Sequence, residues 1–330
     1  MHDLLHRLVA QYSLTNDKAA RLWQLSRVHD KPARVGTNTE RGLGMLAALL
    51  LGVGLIFWIA ANWQDQSRQF KFYLIQGVLL ASMAGALAWP RGRNALLLLA
   101  TLALGGLLAF IGQTYQTGAD PWQLFAAWAG LTLLWVVAAR SDGLWAMWVL
   151  IVGMAIALWS GDHLINPIAN IDRMFWGARY RSYLTPMMWA LLVLVIALVT
   201  RLSLRAPSGE VTGRYALRLA VFFALGAWCT YGLWDLFREQ PSIYMVNALL
   251  VVGTAVIAWL AKPRDITLIA MVVLALDAMF LGLVLRALFY GSGSSSDPTG
   301  QVLIFGLVAA VTVGLSGQWI YKLQKQEGAA

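Results

Sequence analysis

The sequence is poor in cysteine and in charge. Cys229 is the only cysteine among 330 residues, which excludes an intrachain disulfide and a metal cluster built on cysteines. Charged residues make up 12% of the chain, whereas an ordinary soluble domain carries about 25%. We find no serine nucleophile elbow, no phosphate-binding glycine loop and no zinc-protease helix motif. These absences argue against a soluble enzyme.

Long apolar runs are what the sequence has in abundance. Hydrophobic residues make up 59% of the chain, and 16 residues are tryptophan. The clearest unit is a pair of uncharged runs, 95–112 and 122–139, joined by a short polar turn. Each run would form about 27 Å of helix, close to the ~30 Å hydrocarbon core of a bilayer. The pair therefore predicts a membrane hairpin with a polar tip.

The same reasoning applied to the whole chain predicts an all-α, polytopic transmembrane helix bundle. A short helical segment on the cytoplasmic side, residues 1–42, would precede it, and Lys31–Arg41 in that segment reads as a polar linker. Because the first apolar run begins only near Leu43, we expect no cleavable signal peptide. Residues 43–139 would form four spans and residues 140–330 six more. The ten predicted spans are 43–62, 72–89, 95–112, 122–139, 144–160, 185–202, 215–235, 243–261, 266–287 and 301–322.

Orientation is predicted from the basic residues. The net charge is +9, and lysine and arginine cluster in the loops on one side of the predicted spans. This bias marks the cytoplasmic side and places both termini there, in a bacterial inner membrane. We therefore interpret the charge as a topology signal and expect no nucleic-acid partner. The basic loop residues on the cytoplasmic side include Arg91, Arg93, Arg140, Arg201, Arg205, Arg214, Lys262, Arg264, Lys322 and Lys325.

Polar and aromatic residues gather at the outer ends of the first, third and fourth spans. Amides next to aromatic rings offer paired donors and acceptors with little charge to desolvate, which suits the recognition of sugars, lipid headgroups or peptide backbone. Helix caps and interfacial anchors are the other interpretation. We expect the three helix ends to converge, because short connections favour neighbouring helices. The candidate ligand-binding residues are Asn62, Trp63, Gln113, Tyr115, Gln116, Asp120 and Trp122.

Asp277 is an ionisable residue near the middle of the span that begins at Ile266. A carboxylate at that depth costs roughly 2.5–3.5 kcal/mol on insertion scales, so such residues usually face other helices. We expect Thr254, Thr312 or a buried water to hydrogen-bond it. Two roles stay open, a proton or ion pathway and a polar link between helices. Asp265, at the start of the same span, reads as an ordinary helix cap.

Small residues at helical spacing predict where helices approach closely, since association in lipid relies on packing. Ala48 with Gly52, and Gly105 with Ala109, form such pairs. The longest stripe is Gly306, Ala310 and Gly314, which we take as the strongest packing signal because three small residues share one register.

The first part of the chain resembles a known family. The residues that carry the resemblance are Leu8 to Leu22, Leu51 to Trp63, Ile111 to Gln116, and Asp120 to Trp128. They resemble the bacterial membrane family catalogued as domain of unknown function 2157. The resemblance covers roughly residues 1–150 and implies an integral protein of the bacterial inner membrane, with no settled activity.

Three functional hypotheses follow. The first is a non-enzymatic binding or accessory protein of the cell envelope, which uses the outer polar and aromatic cluster. Its partners would be the lipid bilayer and either lipid headgroups or another envelope protein, with no cofactor and no metal. The alternative is a small-molecule or proton-coupled ion transporter that uses Asp277. An intramembrane enzyme is the least supported, because no paired carboxylates or histidine–acid set is evident.

Overall fold

The computed structural model describes most of the chain after residue 32. The described residues are 33–62, 64–115, 118, 120–165, 178–204, 213–238, 241–261, 264–290 and 298–329, together with residues 11, 12, 15 and 18. In this part of the chain all regular structure is helical. The ten helices are α1 (Ala33–Ala61), α2 (Arg68–Ala88), α3 (Arg93–Tyr115), α4 (Pro121–Ala139), α5 (Asp142–Ile165), α6 (Ala178–Leu204), α7 (Arg214–Phe237), α8 (Pro241–Leu260), α9 (Ile266–Phe289) and α10 (Pro298–Ala329).

The predicted fold class is confirmed. All ten helices contain a stretch long and apolar enough to cross a membrane, and each corresponds to one predicted span, with three of the spans ending one residue beyond the helix. The linker predicted over Lys31–Arg41 is wrong from residue 33 onward, because α1 already begins at Ala33. Pro32 precedes that helix in the sequence, and proline favours helix starts because its missing N–H would lack a helical partner there. The polar residues between 33 and 42 therefore form the first turns of α1 and are not part of a linker.

The chain divides into two compact units, residues 1–103 and 104–330, and each is described by itself. In the first unit α1 and α2 both pack against the first half of α3. A side chain added at Gly52 of α1 would lie 2.5 Å from Leu102. One added at Gly85 of α2 would lie 3.2 Å from Leu96. These close approaches agree with the use of small residues for packing in lipid.

In the second unit α7 is the central helix, because it packs against α5, α6, α8 and α9. One face of α7 is buried along its whole length, from Ala216 to Leu236. Polar contacts supplement this packing. The Trp228 indole donates to the Pro186 carbonyl of α6 at 3.1 Å, and the Tyr231 and Ser160 hydroxyls lie 2.8 Å apart between α7 and α5.

Both ends of α7 are completed by side chains from other helices. Its N-cap is Gly213, which has no side chain to accept a bond. Asp142 of α5 instead accepts from the backbone N–H groups of Tyr215 and Ala216, at 3.0 and 3.3 Å. At the other end Arg286 of α9 donates to the Leu236 carbonyl. Terminal N–H and C=O groups have no partner within their own helix, so these contacts satisfy them.

Asp265 caps α9, as predicted, and also joins α9 to α7. It accepts from the backbone N–H groups of Thr267 and Leu268 at 3.0 and 3.4 Å. Arg218 of α7 donates to both of its carboxylate oxygens, at 2.9 and 3.1 Å. Such paired donation from one guanidinium gives a defined geometry as well as attraction.

Helix α10 lies at the edge of the second unit. It packs against α9, and none of its apolar stretch is buried. Trp319 also stacks on Trp259, at the end of α8, with 5.6 Å between ring centroids. The stripe that we took as the strongest packing signal is not used within the described chain. Gly306 and Gly314 are exposed, and side chains added there would meet nothing within 4 Å.

Candidate functional site

The tip of the α3–α4 hairpin is formed by residues that the sequence singled out. Helix α3 ends at Tyr115, and α4 begins at Pro121 with Asp120 as its N-cap. The Asp120 side chain makes no capping bond to the helix backbone. Its Oδ2 atom instead accepts from the Trp122 indole N–H at 3.4 Å. The cap interpretation therefore does not account for the Asp120 carboxylate, which is held beside an aromatic ring.

The last turn of α3 presents polar groups in two directions. Gln113 and Tyr115 are exposed, and Tyr115 keeps 70% of its surface accessible. Thr114, between them, turns inward, and its buried hydroxyl has no hydrogen-bond partner among the described residues. Gln113 and Tyr115 thus lie exposed on the same hairpin as Asp120 and Trp122.

Of the remaining three residues of the predicted cluster, the structure describes only Asn62. Asn62 follows α1, is half-buried, and donates from Nδ2 to the Trp58 carbonyl at 2.8 Å. Its amide thus completes the end of its own helix. Trp63 and Gln116 lie outside the described residues. Because Asn62 belongs to the first compact unit and the hairpin tip to the second, the convergence of these helix ends stays a prediction.

Trp122 also lines an apolar groove that the sequence analysis missed. The groove lies between the first half of α4, the second half of α5 and the first half of α6, and its volume is about 380 Å³. Among the described residues its lining side chains are hydrophobic, and the two tryptophans contribute the only polar groups, their indole N–H groups. The lining residues are Trp122, Ala126, Ala129, Val152, Ala155, Ile156, Trp159, Leu184 and Met188.

The residue sizes explain why a groove forms here. Trp122, Ala126 and Ala129 recur at spacings of four and three, which places them on one face of α4. Ala155 and Trp159 have the same relation on α5. The two tryptophans stand near the tip, and the alanines behind them leave space that larger side chains would fill. The available sequence signal was a tryptophan on each of two neighbouring helices, with an alanine four residues away on the same face.

Asp277 lies midway along α9 and faces α10 rather than the centre of the unit. Ala275 and Met279 are buried, and Asp277, two residues from each, points about 200° away around the helix. The carboxylate is half-buried and accepts from the Ser316 hydroxyl of α10 at 3.0 Å.

Neither of the two threonines predicted as partners of Asp277 supplies its hydrogen bond. The Thr254 and Thr312 hydroxyls donate to the carbonyls of Leu250 and Val308 in their own helices, both at 2.8 Å. Threonine in a helix commonly makes this local bond, which uses its one donor proton. Serine one turn beyond Thr312 supplies the contact instead. In the part of the chain that the structure describes, no three His, Cys, Asp or Glu side chains are grouped to hold a metal ion.

Comparison with known proteins agrees with the resemblance noted in the sequence. Residues 6–145 match the family described as predicted membrane protein, domain of unknown function 2157 (DUF2157). The matched region contains α1 to α4 and the hairpin tip, and it ends at the start of α5, before the groove walls on α5 and α6 and before Asp277. No curated protein and no solved structure matches the chain. The chain is thus an integral membrane protein whose first part is similar to a family without an assigned activity.

Proposed function

We propose that this integral membrane protein is a non-enzymatic binding protein of the cell envelope. Its binding site would be the tip cluster, which we define as Gln113, Tyr115, Asp120 and Trp122. The observation that carries the proposal is the Asp120–Trp122 contact at the mouth of an apolar groove. It offers a fixed polar acceptor beside apolar surface, the combination typical of small-molecule binding sites.

The proposal includes a location and an orientation. Lysine and arginine concentrate in the loops on the side of the spans opposite the hairpin tip, which supports cytoplasmic termini in a bacterial inner membrane. The tip cluster would then face the outer leaflet. Gln116, on the same hairpin, is a further residue that we propose for this recognition surface, whereas for Asn62 and Trp63 a role in recognition stays a prediction from the sequence. Ligands in reach there would be lipid headgroups or another envelope component.

A native mass measurement tests the proposal. The protein is extracted from its own membranes in mild detergent, and retained components are counted for the unchanged chain and for Trp122→Leu with Asp120→Ala. We expect a component of defined mass, retained at least about tenfold less by the double variant, because it removes both the ring and the carboxylate and two good contacts are together worth about 1.4 kcal/mol or more.

Trp234→Leu is the matched control. Trp234 is also an exposed tryptophan. It lies near the C-terminal end of α7, close in sequence to Tyr231, which contacts Ser160 of α5. The Trp234→Leu variant should retain the component. Equal retention by all three proteins, or no retained component at all, would contradict the proposal.

Proton-coupled transport through Asp277 is the second candidate. The observation that favours it is a half-buried carboxylate midway along a membrane-spanning helix, with a hydroxyl group as partner. Such residues often serve proton pathways. The test uses proteoliposomes that contain a pH-sensitive dye and carry an imposed membrane potential. Proton entry that is lost in Asp277→Asn and partly kept in Asp277→Glu would support transport, and entry equal to that of empty liposomes would exclude it.

A further inference from the structure

The groove beside Trp122 is an open cleft with a volume of about 380 Å³. Volumes of about 300–1,000 Å³ are typical of ligand pockets. Ala126 on its wall is exposed, so the groove is open to its surroundings. Because the surrounding helices are membrane spans, those surroundings include lipid.

The lining determines which part of a ligand fits. The nine described lining side chains are hydrophobic, and their only polar groups are the indole N–H groups of Trp122 and Trp159. The Trp122 N–H already donates to Asp120. Such a lining offers few hydrogen bonds to a sugar or a peptide. Wall atoms that face an empty space lose their dispersion contacts, and water would find few polar partners there. A hydrocarbon chain restores those contacts without desolvating anything, so the groove is suited to an acyl chain.

The mouth of the groove determines the headgroup. The Asp120 carboxylate is exposed and lies 3.4 Å from the indole nitrogen of Trp122, which itself lines the groove. An ionised carboxylate only accepts hydrogen bonds, so it attracts an ammonium group and repels a phosphate that carries uncompensated charge. The net charge of the chain is +9. The mouth of the groove carries the acidic Asp120, so its charge is opposite in sign to that of the protein as a whole.

Together these observations point to one occupant, and the inference rests on the proposed function. We infer that the groove holds one acyl chain of a bilayer phospholipid with an ammonium headgroup, such as phosphatidylethanolamine, and that the headgroup lies against Asp120. The tip cluster and the groove would then be two parts of a single amphiphile site, polar at the tip and apolar between α4, α5 and α6.

Photolabelling tests the position of the chain. The full protein is placed in phosphatidylcholine vesicles with a trace of phosphatidylethanolamine that carries a photoreactive diazirine on one acyl chain. The readout is label on the α6 segment around Met188, which none of the variants alters. Ala155→Phe fills the groove and should reduce this label several-fold. Ala157→Phe is the matched control, because Ala157 is exposed on the same helix and does not line the groove.

Equal labelling of α6 in Ala155→Phe and Ala157→Phe would overturn the chain assignment. If Ala155→Phe does not fold, the distribution of label along the unchanged protein decides the question. The exposed apolar face of α10 then reports contact with ordinary bilayer lipid. Denser label on the groove walls than on α10 supports the inference, and equal or lower density overturns it.

The headgroup is tested with two lipids that share the same photoreactive chain. We expect phosphatidylethanolamine to label the groove about two- to fivefold more than phosphatidylglycerol, as for an exposed ion pair. Asp120→Asn should abolish the difference. Equal or stronger labelling by phosphatidylglycerol in the unchanged protein would overturn the headgroup assignment. A tip-dependent component that is not a phospholipid would overturn this inference and leave the proposed function standing. Groove labelling with no tip-dependent component would overturn the proposed function and the headgroup assignment, and would leave only the acyl-chain assignment standing.

Discussion

Helices α7 and α10 are both apolar enough to cross a membrane, yet they are held in very different ways. In α7, 39% of the apolar stretch is buried, whereas in α10 none is. Helix α7 contacts four neighbours and has its two ends completed by Asp142 and Arg286. Helix α10 rests on α9 and is joined by Ser316 and Trp319.

The difference teaches that apolar character does not decide the position of a helix in a membrane protein. The apolar stretch of α10 is the more hydrophobic of the two, but lipid is as apolar as a leucine side chain and gives such a helix no reason to leave it. Close packing and polar contacts decide instead. Helix α7 has Arg218, Trp228 and Tyr231 in contact with three different helices, and this places it at the centre.

The largest expected effect comes from enlarging a glycine in the packed region. Gly282 of α9 is buried against α7, and a side chain there would overlap Leu233. We expect Gly282→Leu to lower the free energy of unfolding by about 3 kcal/mol, the upper range for overpacking. Gly314→Leu on the open face of α10 should change it by less than about 0.5 kcal/mol. Unfolding in detergent micelles measures both, and equal losses would refute the contrast between the two helices.

A smaller effect is expected at the contact between α7 and α9. Asp265→Ala removes the cap of α9 and the ion pair with Arg218. The side chain of Asp265 is 20% exposed and that of Arg218 is 29% exposed. We expect a loss of about 2 kcal/mol, the sum of a cap and a partly buried pair. A double-mutant cycle with Arg218→Ala isolates the pair. Strictly additive losses would show that Arg218 does not hold α7 to α9.

The smallest effect is expected where α9 meets α10. Ser316→Ala removes the described donor to Asp277, and hydrogen bonds between helices in membranes average about 0.6 kcal/mol. Asp277→Asn should cost no more than that, since the amide oxygen can still accept from Ser316. The same unfolding assay measures both variants. A loss as large as that of Asp265→Ala would mean that α10 is held as firmly as α7.

The hairpin that carries the proposed site was predictable for a clear reason. Gln113, Tyr115, Asp120 and Trp122 could be grouped from the sequence because they are neighbours on one hairpin, where chain position nearly determines spatial position. The groove was missed because its walls come from three helices, and Ala126, Ala155 and Met188 are unremarkable in any membrane span. The partner of Asp277 was misjudged by one helical turn, because the relative shift of α9 and α10 along their axes is not written in either helix.

What the sequence determined by itself was the number of spans, the helical class and the polar tip of the hairpin. These follow from local properties, since apolar runs of fixed length must become helices in lipid. Only the tertiary structure decided which small residues are packed, why Gly52 meets Leu102 while Gly314 meets nothing, and which helices enclose the groove. Those outcomes depend on contacts between distant segments. Lipid is as apolar as the helix surfaces, so the hydrophobic effect does not distinguish one helix arrangement from another. Side-chain shape and a few polar contacts select the arrangement instead.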